Sequence, residues 1–176
     1  MTEQQPYVVV ERHPDFEIRD YPASTVAEVS LSDSFEQAGT RAFRSLFGYI
    51  SGGNLGRQSI AMTAPVLQQP TTEGGQRVAF VLPATMPANE APTPDDDSVR
   101  LRTVAGTRTA AVTYSGRWTH SAFERHRAEL LAALAREGLT TTGEPRFARY
   151  SPPFTPWFLR RNEVLVDLLP GEATAD

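Results

Sequence analysis

Apolar positions along the chain follow two rhythms, and the changes between them mark the elements. Tyr7 to Arg12 and Phe16 to Tyr21 carry alternating apolar and polar residues on either side of His13-Pro14-Asp15, which predicts a hairpin. Thr25 to Leu31 alternates again. The period then lengthens: Phe35, Gly39, Ala42, Phe43, Leu46 and Ile50 recur at helical spacing, behind the capping residues Ser32, Asp33 and Ser34 and ahead of the stop Ser51-Gly52-Gly53-Asn54. Short strands are predicted at Ile60 to Thr63 and Val66-Leu67, on either side of Pro65, which removes a ladder donor. Arg77 to Leu82, Val99 to Val104 and Thr107 to Tyr114 are further strands, and Pro83 to Ser98 is a proline-rich acidic loop. A second helix is predicted over Thr119 to Glu137, with Phe123, Leu130, Leu131 and Leu134 on its stripe and Gly138 as its stop. Glu144 to Tyr150 and Glu163 to Leu169 are the last strands, separated by a loop that contains three prolines.

This order contains a repeat. Strand, helix, strand, strand over about 24–82 is followed by the same series over about 107–169, so one domain spanning 1–176 is expected, with an internal pseudo-two-fold axis. The predicted fold class is α+β: duplicated strand-helix-strand-strand units forming a distorted, mainly antiparallel β-barrel with two long helices. The length suits one core that buries about 70% of the unfolded surface.

Composition narrows the chemistry. The absence of cysteine excludes disulfides, thiolate metal sites and a cysteine nucleophile, and a net charge of −4 provides no basic field for nucleic acid. No apolar run is long enough to span a bilayer as a helix, so a cytoplasmic protein without an integral membrane segment is the expectation. The Asp95-Asp96-Asp97 run reads as a solvated loop tip, and the glycines after the first helix lack the Lys-Ser/Thr of a phosphate-binding loop.

The first helix carries more apolar surface than one stripe needs. At about 100° per residue Phe47 falls on a flank shared with Thr40, Phe43 and Arg44, while Arg41 points elsewhere. The loop Ser151-Pro152-Pro153-Phe154-Thr155-Pro156-Trp157-Phe158 is likewise too apolar for plain surface.

The runs YVVVERHPDFEIRDYP, GYISGGN, IAMTAPV and YSPPFTPWFLRRNEV resemble, in order and spacing, those of the SOUL/heme-binding protein family. The resemblance covers nearly the whole chain. It implies a shallow cleft for heme or another tetrapyrrole beside the first helix and the loop before the last strand. Phe43, Leu46, Phe47, Met62, Phe154 and Trp157 would be its walls, Arg44 its nearest cation, and the hydroxyls of Thr40 and Tyr150 its hydrogen-bonding groups. Some animal members of the family carry a lysine where this chain has Gly48 and an arginine where it has Thr40, a difference that bears on tetrapyrrole affinity and choice. His13, His120 and His126 all map away from the cleft, so no metal ligand is expected among them. Arg160-Arg161 suits either a propionate or a strand edge.

Three function classes follow: a carrier or buffer of a small-molecule tetrapyrrole, a more general small-molecule binding module, and a hydrolase or tetrapyrrole-modifying enzyme using the same cleft. No nucleophile–base spacing identifies catalytic residues, and no protein partner can be named.

Overall fold

Strands whose apolar residues alternate pair side by side and turn one phase toward the two helices. The computed structural model describes residues 2–171. Its strands are β1 (Glu3–Gln4), β2 (Val8–Arg12), β3 (Glu17–Tyr21), β4 (Ser24–Leu31), β5 (Thr63–Ala64), β6 (Val66–Pro70), β7 (Gln76–Val81), β8 (Arg100–Val104), β9 (Thr107–Tyr114), β10 (Thr141–Arg149) and β11 (Asn162–Leu168). Helix α1 (Phe35–Ile50) follows β4, helix α2 (His120–Arg136) follows β9, and a short 3-10 turn covers Trp157–Leu159. Ser34 and Thr119 are the N-caps, accepting from Gln37 N and Ala122 N. The chain leaves α1 through Gly52, whose φ of 110° favours glycine, and Asn54 closes that turn with its amide on Tyr49 O and Gln58 O.

Nine strands form one antiparallel sheet in the order β2-β3-β9-β11-β10-β6-β7-β4-β8, and β1 and β5 make a small parallel pair. The class is α+β. Around the central β10–β6 pairing, where Ala148 faces Leu67, the order β9-β11-β10 on one side corresponds to β4-β7-β6 on the other. Both helices pack on the same face. Ala38, Ala42, Leu46 and Tyr49 of α1 meet Val29, Val78 and Phe80, while Phe123, Leu130 and Leu134 of α2 meet Ala110, Phe147, Val164 and Val166. Phe35, the first residue of α1, packs in the α2 cluster, with ring centroids 5.5 Å from Phe123 and 5.4 Å from Phe147. Glu36 accepts from His120 N at 2.9 Å, and that backbone bond holds its carboxyl below the usual range. Two helix N-termini are therefore tied to each other.

The expected barrel does not close, since β2 and β8 each pair with a single neighbour. Strong curvature takes the place of closure. β3 and β4, and likewise β8 and β9, lie at opposite ends of the strand order, yet only Pro22-Ala23 and Ala105-Gly106 connect them. Strands in a flat sheet are spaced about 4.8 Å apart, a width that two residues cannot bridge. The ends must curl toward each other. The two connections touch: a Cβ on Gly106 would lie 3.1 Å from Tyr21 O.

Curling buries the face opposite the helices, and a charge pair lies there. Arg19, 2% exposed, donates through Nη1 and Nη2 to both oxygens of Glu163, 0% exposed, at 2.8 Å each. Arg161 and the Thr113 hydroxyl also donate to Glu163, at 3.0 Å each. Burial alone would raise the Glu163 carboxyl, but the guanidinium groups outweigh it and hold it below the usual value. A depressed carboxylate stabilises the fold above its unfolded pKa of about 4.3, and that contribution is lost as pH falls through the folded value. Glu163→Gln should cost about 3–5 kcal/mol at neutral pH. In urea unfolding followed from pH 7 to pH 3 it should also decline less steeply than the parent.

Candidate functional site

The surplus apolar flank of α1 forms one wall of a cleft. Ala38 and Tyr49 complete the buried stripe, and Phe43, expected in that stripe, is instead 38% exposed beside Phe47, 49% exposed. Their rings stack with centroids 5.6 Å apart, and Phe43 meets Phe80 edge-on at 5.5 Å. Pro152 and Pro153 of the proline-rich loop line the same cleft. Gly39, Met62, Val66, Trp118 and Arg149 complete a cleft of about 220 Å³.

The candidate residues named from the sequence divide into groups. Phe43, Phe47, Met62 and Tyr150 line the cleft. Thr40 and Arg44 are exposed on α1 outside the lining, and Phe154 and Trp157 are exposed on the loop beyond it, at 87% and 46%. Leu46 is 0% exposed within the α1 core and presents no wall to a ligand. Tyr150 lines the cleft without offering its hydroxyl: Oη is buried, and the ring lies under Arg161, whose Cζ is 3.9 Å from its centroid. Burial pushes that hydroxyl well above the usual tyrosine range, with Glu163 adding to the shift.

Arg149 supplies the cleft's distinctive electrostatics. It follows Phe147 in the helix-facing phase of β10, so its guanidinium enters the space left by the missing side chain of Gly39. A Cβ on Gly39 would sit 2.4 Å from Nη2 and 2.6 Å from Nη1. Nη2 donates to Gln68 Oε1 at 2.7 Å, whereas Nε is buried without a hydrogen-bond partner. Gln68 is fixed because its amide nitrogen donates to Phe35 O at 2.8 Å. Arg149 Cζ lies 4.9 Å from the Trp118 ring centroid, and Arg160 Cζ lies 4.1 Å from the same ring. Trp118 is held by its indole N–H on Asn162 Oδ1 at 2.8 Å. Among the described residues no carboxylate forms an ion pair with Arg149 or Arg160. Burial pushes Arg149 down to about 10, opposed by Tyr114 and reinforced by repulsion from Arg160.

Arg160 and Arg161 part company here. Arg160 ties the loop together through Thr155 O at 3.0 Å and Pro153 O at 2.9 Å, while Arg161 turns to the opposite face and Glu163. The histidines lie elsewhere: His13 stacks on Phe16, His120 borders Phe35, and His126 stacks on Tyr114 at 3.9 Å. Arg127 of α2 reaches Glu124 and Glu144.

A second cavity of about 220 Å³ lies on the inner sheet face, but its charges are largely matched. Arg102 pairs with Glu28 at 3.0 Å and Arg146 with Asp167 at 2.9 Å. The helix-side cleft combines the stacked Phe43 and Phe47 rings with the unmatched charge of Arg149.

The sequence reading assigns Gly39 only a place in the helical stripe and does not name Trp118 or Arg149. Two of them left a signal. A glycine within a helix costs about 1 kcal/mol relative to alanine and points to a close approach. A charged residue two places after Phe147, in the apolar phase of a strand, points to a buried cation with a purpose.

A family model described as SOUL heme-binding protein matches residues 2–167. Heme-binding protein 1 of Xenopus tropicalis is 25% identical over 156 residues, covering 85% of this chain and 81% of that protein. Among solved structures, the C-terminal domain of EcmrR aligns with a TM-score of 0.67 at 9% identity, covering 93% of this chain and 98% of that one. A hydrolase from Listeria innocua aligns with a TM-score of 0.66 at 12% identity, covering 91% and 94%. Identities this low establish a shared fold and nothing about chemistry.

The cleft wall and the core separate by mutation. Leu46→Ala should cost about 2–5 kcal/mol, and Phe47→Ala, which removes a half-exposed ring, about 1 kcal/mol. Thermal or urea unfolding of the two variants measures the difference.

Proposed function

The chain belongs to the SOUL heme-binding protein family, and on that premise we propose that it binds heme or a related tetrapyrrole in the cleft between α1 and the proline-rich loop. The observation that carries this reading is the conjunction of stacked Phe43 and Phe47, the Pro152-Pro153 lining, and guanidinium groups that no described carboxylate neutralises. A porphyrin needs apolar walls for its faces and cations for its acid groups, and these residues supply both. The relationship to Heme-binding protein 1 supports the same ligand class.

Phe43, Phe47 and Met62 would hold the ring, with Pro152 and Pro153 covering its other side. Bound heme would supply an iron centre for redox or small-ligand chemistry. No histidine lines the cleft, so retention would rest on packing and charge rather than on an imidazole ligand. A shallow, open site also favours exchange over permanent retention. A carrier or buffer role follows from that openness more readily than a resident cofactor does.

Absorbance titration with hemin tests the reading. The parent should shift the Soret band at saturable stoichiometry, and Phe47→Ala should weaken binding about three- to tenfold, the worth of one aromatic stacking contact. Arg41→Ala should leave affinity unchanged, because Arg41 points away and pairs with Asp33 at 2.8 Å. Single alanine replacements of His13, His120 and His126 should change affinity by less than about threefold. A parent that leaves the hemin spectrum unaltered ends this reading.

A further inference from the structure

We infer that Arg149 is the anion receptor of this cleft, so that the site selects flat aromatic ligands by a free carboxylate rather than by a metal. The inference rests on the proposed tetrapyrrole reading and names the group that sets its specificity. Three observations converge on it.

A guanidinium has been brought beneath aromatic walls without an acid to neutralise it. Three other covered cations described above have one: Arg19 has Glu163, Arg146 has Asp167, and Arg161 has Glu163, while Arg160 spends its donors on the loop carbonyls of Pro153 and Thr155. Arg149 has only the neutral amide of Gln68, a buried unpartnered Nε and the rings of Trp118 and Phe147. A half-buried charge with a buried, unpartnered Nε disfavours folding, and a second guanidinium nearby adds repulsion. An incoming carboxylate would relieve both.

Space has also been cleared for this side chain. Gly39 occupies an interior helical position where alanine would favour the helix, yet any Cβ there would collide with the guanidinium. The Gln68 amide, oriented by Phe35 O and Gln76 Oε1, presents its oxygen to Arg149 and fixes the head group in place. A cation that served only to solubilise the surface would need neither the vacated position nor the buried tether.

Finally, the cleft's other side chains are uncharged and largely apolar. Phe43, Phe47, Met62, Val66 and Trp118 offer ring-stacking and dispersion contacts, and no histidine reaches in. Recognition by shape and charge at such a site is indifferent to what occupies the centre of a macrocycle.

Fluorescence titration with metal-free protoporphyrin IX and with its dimethyl ester tests this, using the parent, Arg149→Met and Gly39→Ala. The parent should bind the free acid at least tenfold more tightly than the ester. Arg149→Met should bring the free acid down to the ester's affinity while leaving the ester unchanged, and it should melt at or above the parent's temperature because a half-buried, unpaired charge has gone. Gly39→Ala, which displaces the guanidinium, should also lose the preference for the free acid. Retention of that preference in Arg149→Met overturns the inference, as does equal binding of acid and ester by the parent. Anilinonaphthalene sulfonate separates this failure from that of the tetrapyrrole reading. If neither porphyrin binds, Arg149-dependent capture of that aromatic anion supports the receptor and sinks only the tetrapyrrole. Capture that ignores Arg149 sinks both.

Discussion

Two connections of two residues each constrain this molecule more than any single contact. Pro22-Ala23 and Ala105-Gly106 join strands from opposite ends of a nine-stranded sheet, and so force the sheet to curl. Curling gives the sheet two unlike faces. The outer face receives both helices, while the inner face is closed enough to bury Arg19, Glu163 and Thr109 without any helix over them. An ion pair sealed there contributes less net stability than its short distances suggest, because desolvation opposes it. Its larger effect is on uniqueness: only the observed register brings β3 and β11 into position on either side of β9 to match those charges.

On the proposed reading, stability and ligand recognition pull against each other at the helix-side cleft. The α1 core uses small residues, Ala38, Gly39 and Ala42, so the helix lies close to the sheet. Close approach at Gly39 leaves Arg149 room but no acid, and the charge lies in surroundings that disfavour it. Local violations of good packing chemistry are expected at functional sites and are tolerated because the rest of the fold is consistent. The aromatic cluster of Phe35, Phe123 and Phe147 lies directly behind that charge and has no polar duty.

Period-two and helical patterns carried most of the element order, since a half-buried strand and an amphipathic helix each write their exposure into the sequence. Closure was not written there. Whether a curved sheet becomes a barrel depends on whether its outer strands come within bonding distance, and nothing local in β2 or β8 encodes that. The helical angle placed Phe47 off the main stripe but put Phe43 in the stripe and left Tyr49 out of it, whereas Tyr49 is buried and Phe43 is 38% exposed. Tyr150 illustrates the sharpness of strand geometry: it directly follows Arg149, yet its ring packs with Ala148 and Leu165 in the phase opposite Phe147, while both residues line the cleft. Arg149 and Gly39 come together only through tertiary structure, so the helical pattern that displayed Arg44 could not display them.

The proline-rich loop has a kinetic side. Arg160 clasps it through the carbonyls of Pro153 and Thr155, and its prolines have little backbone freedom left. A wall held in this way is already in its binding shape before any ligand arrives, so little ordering entropy is spent at the encounter. On the proposed reading, residence time would be a matter of how quickly stacking and charge contacts are given up. A slot pre-shaped in this way would favour handing a ligand on over sealing it in.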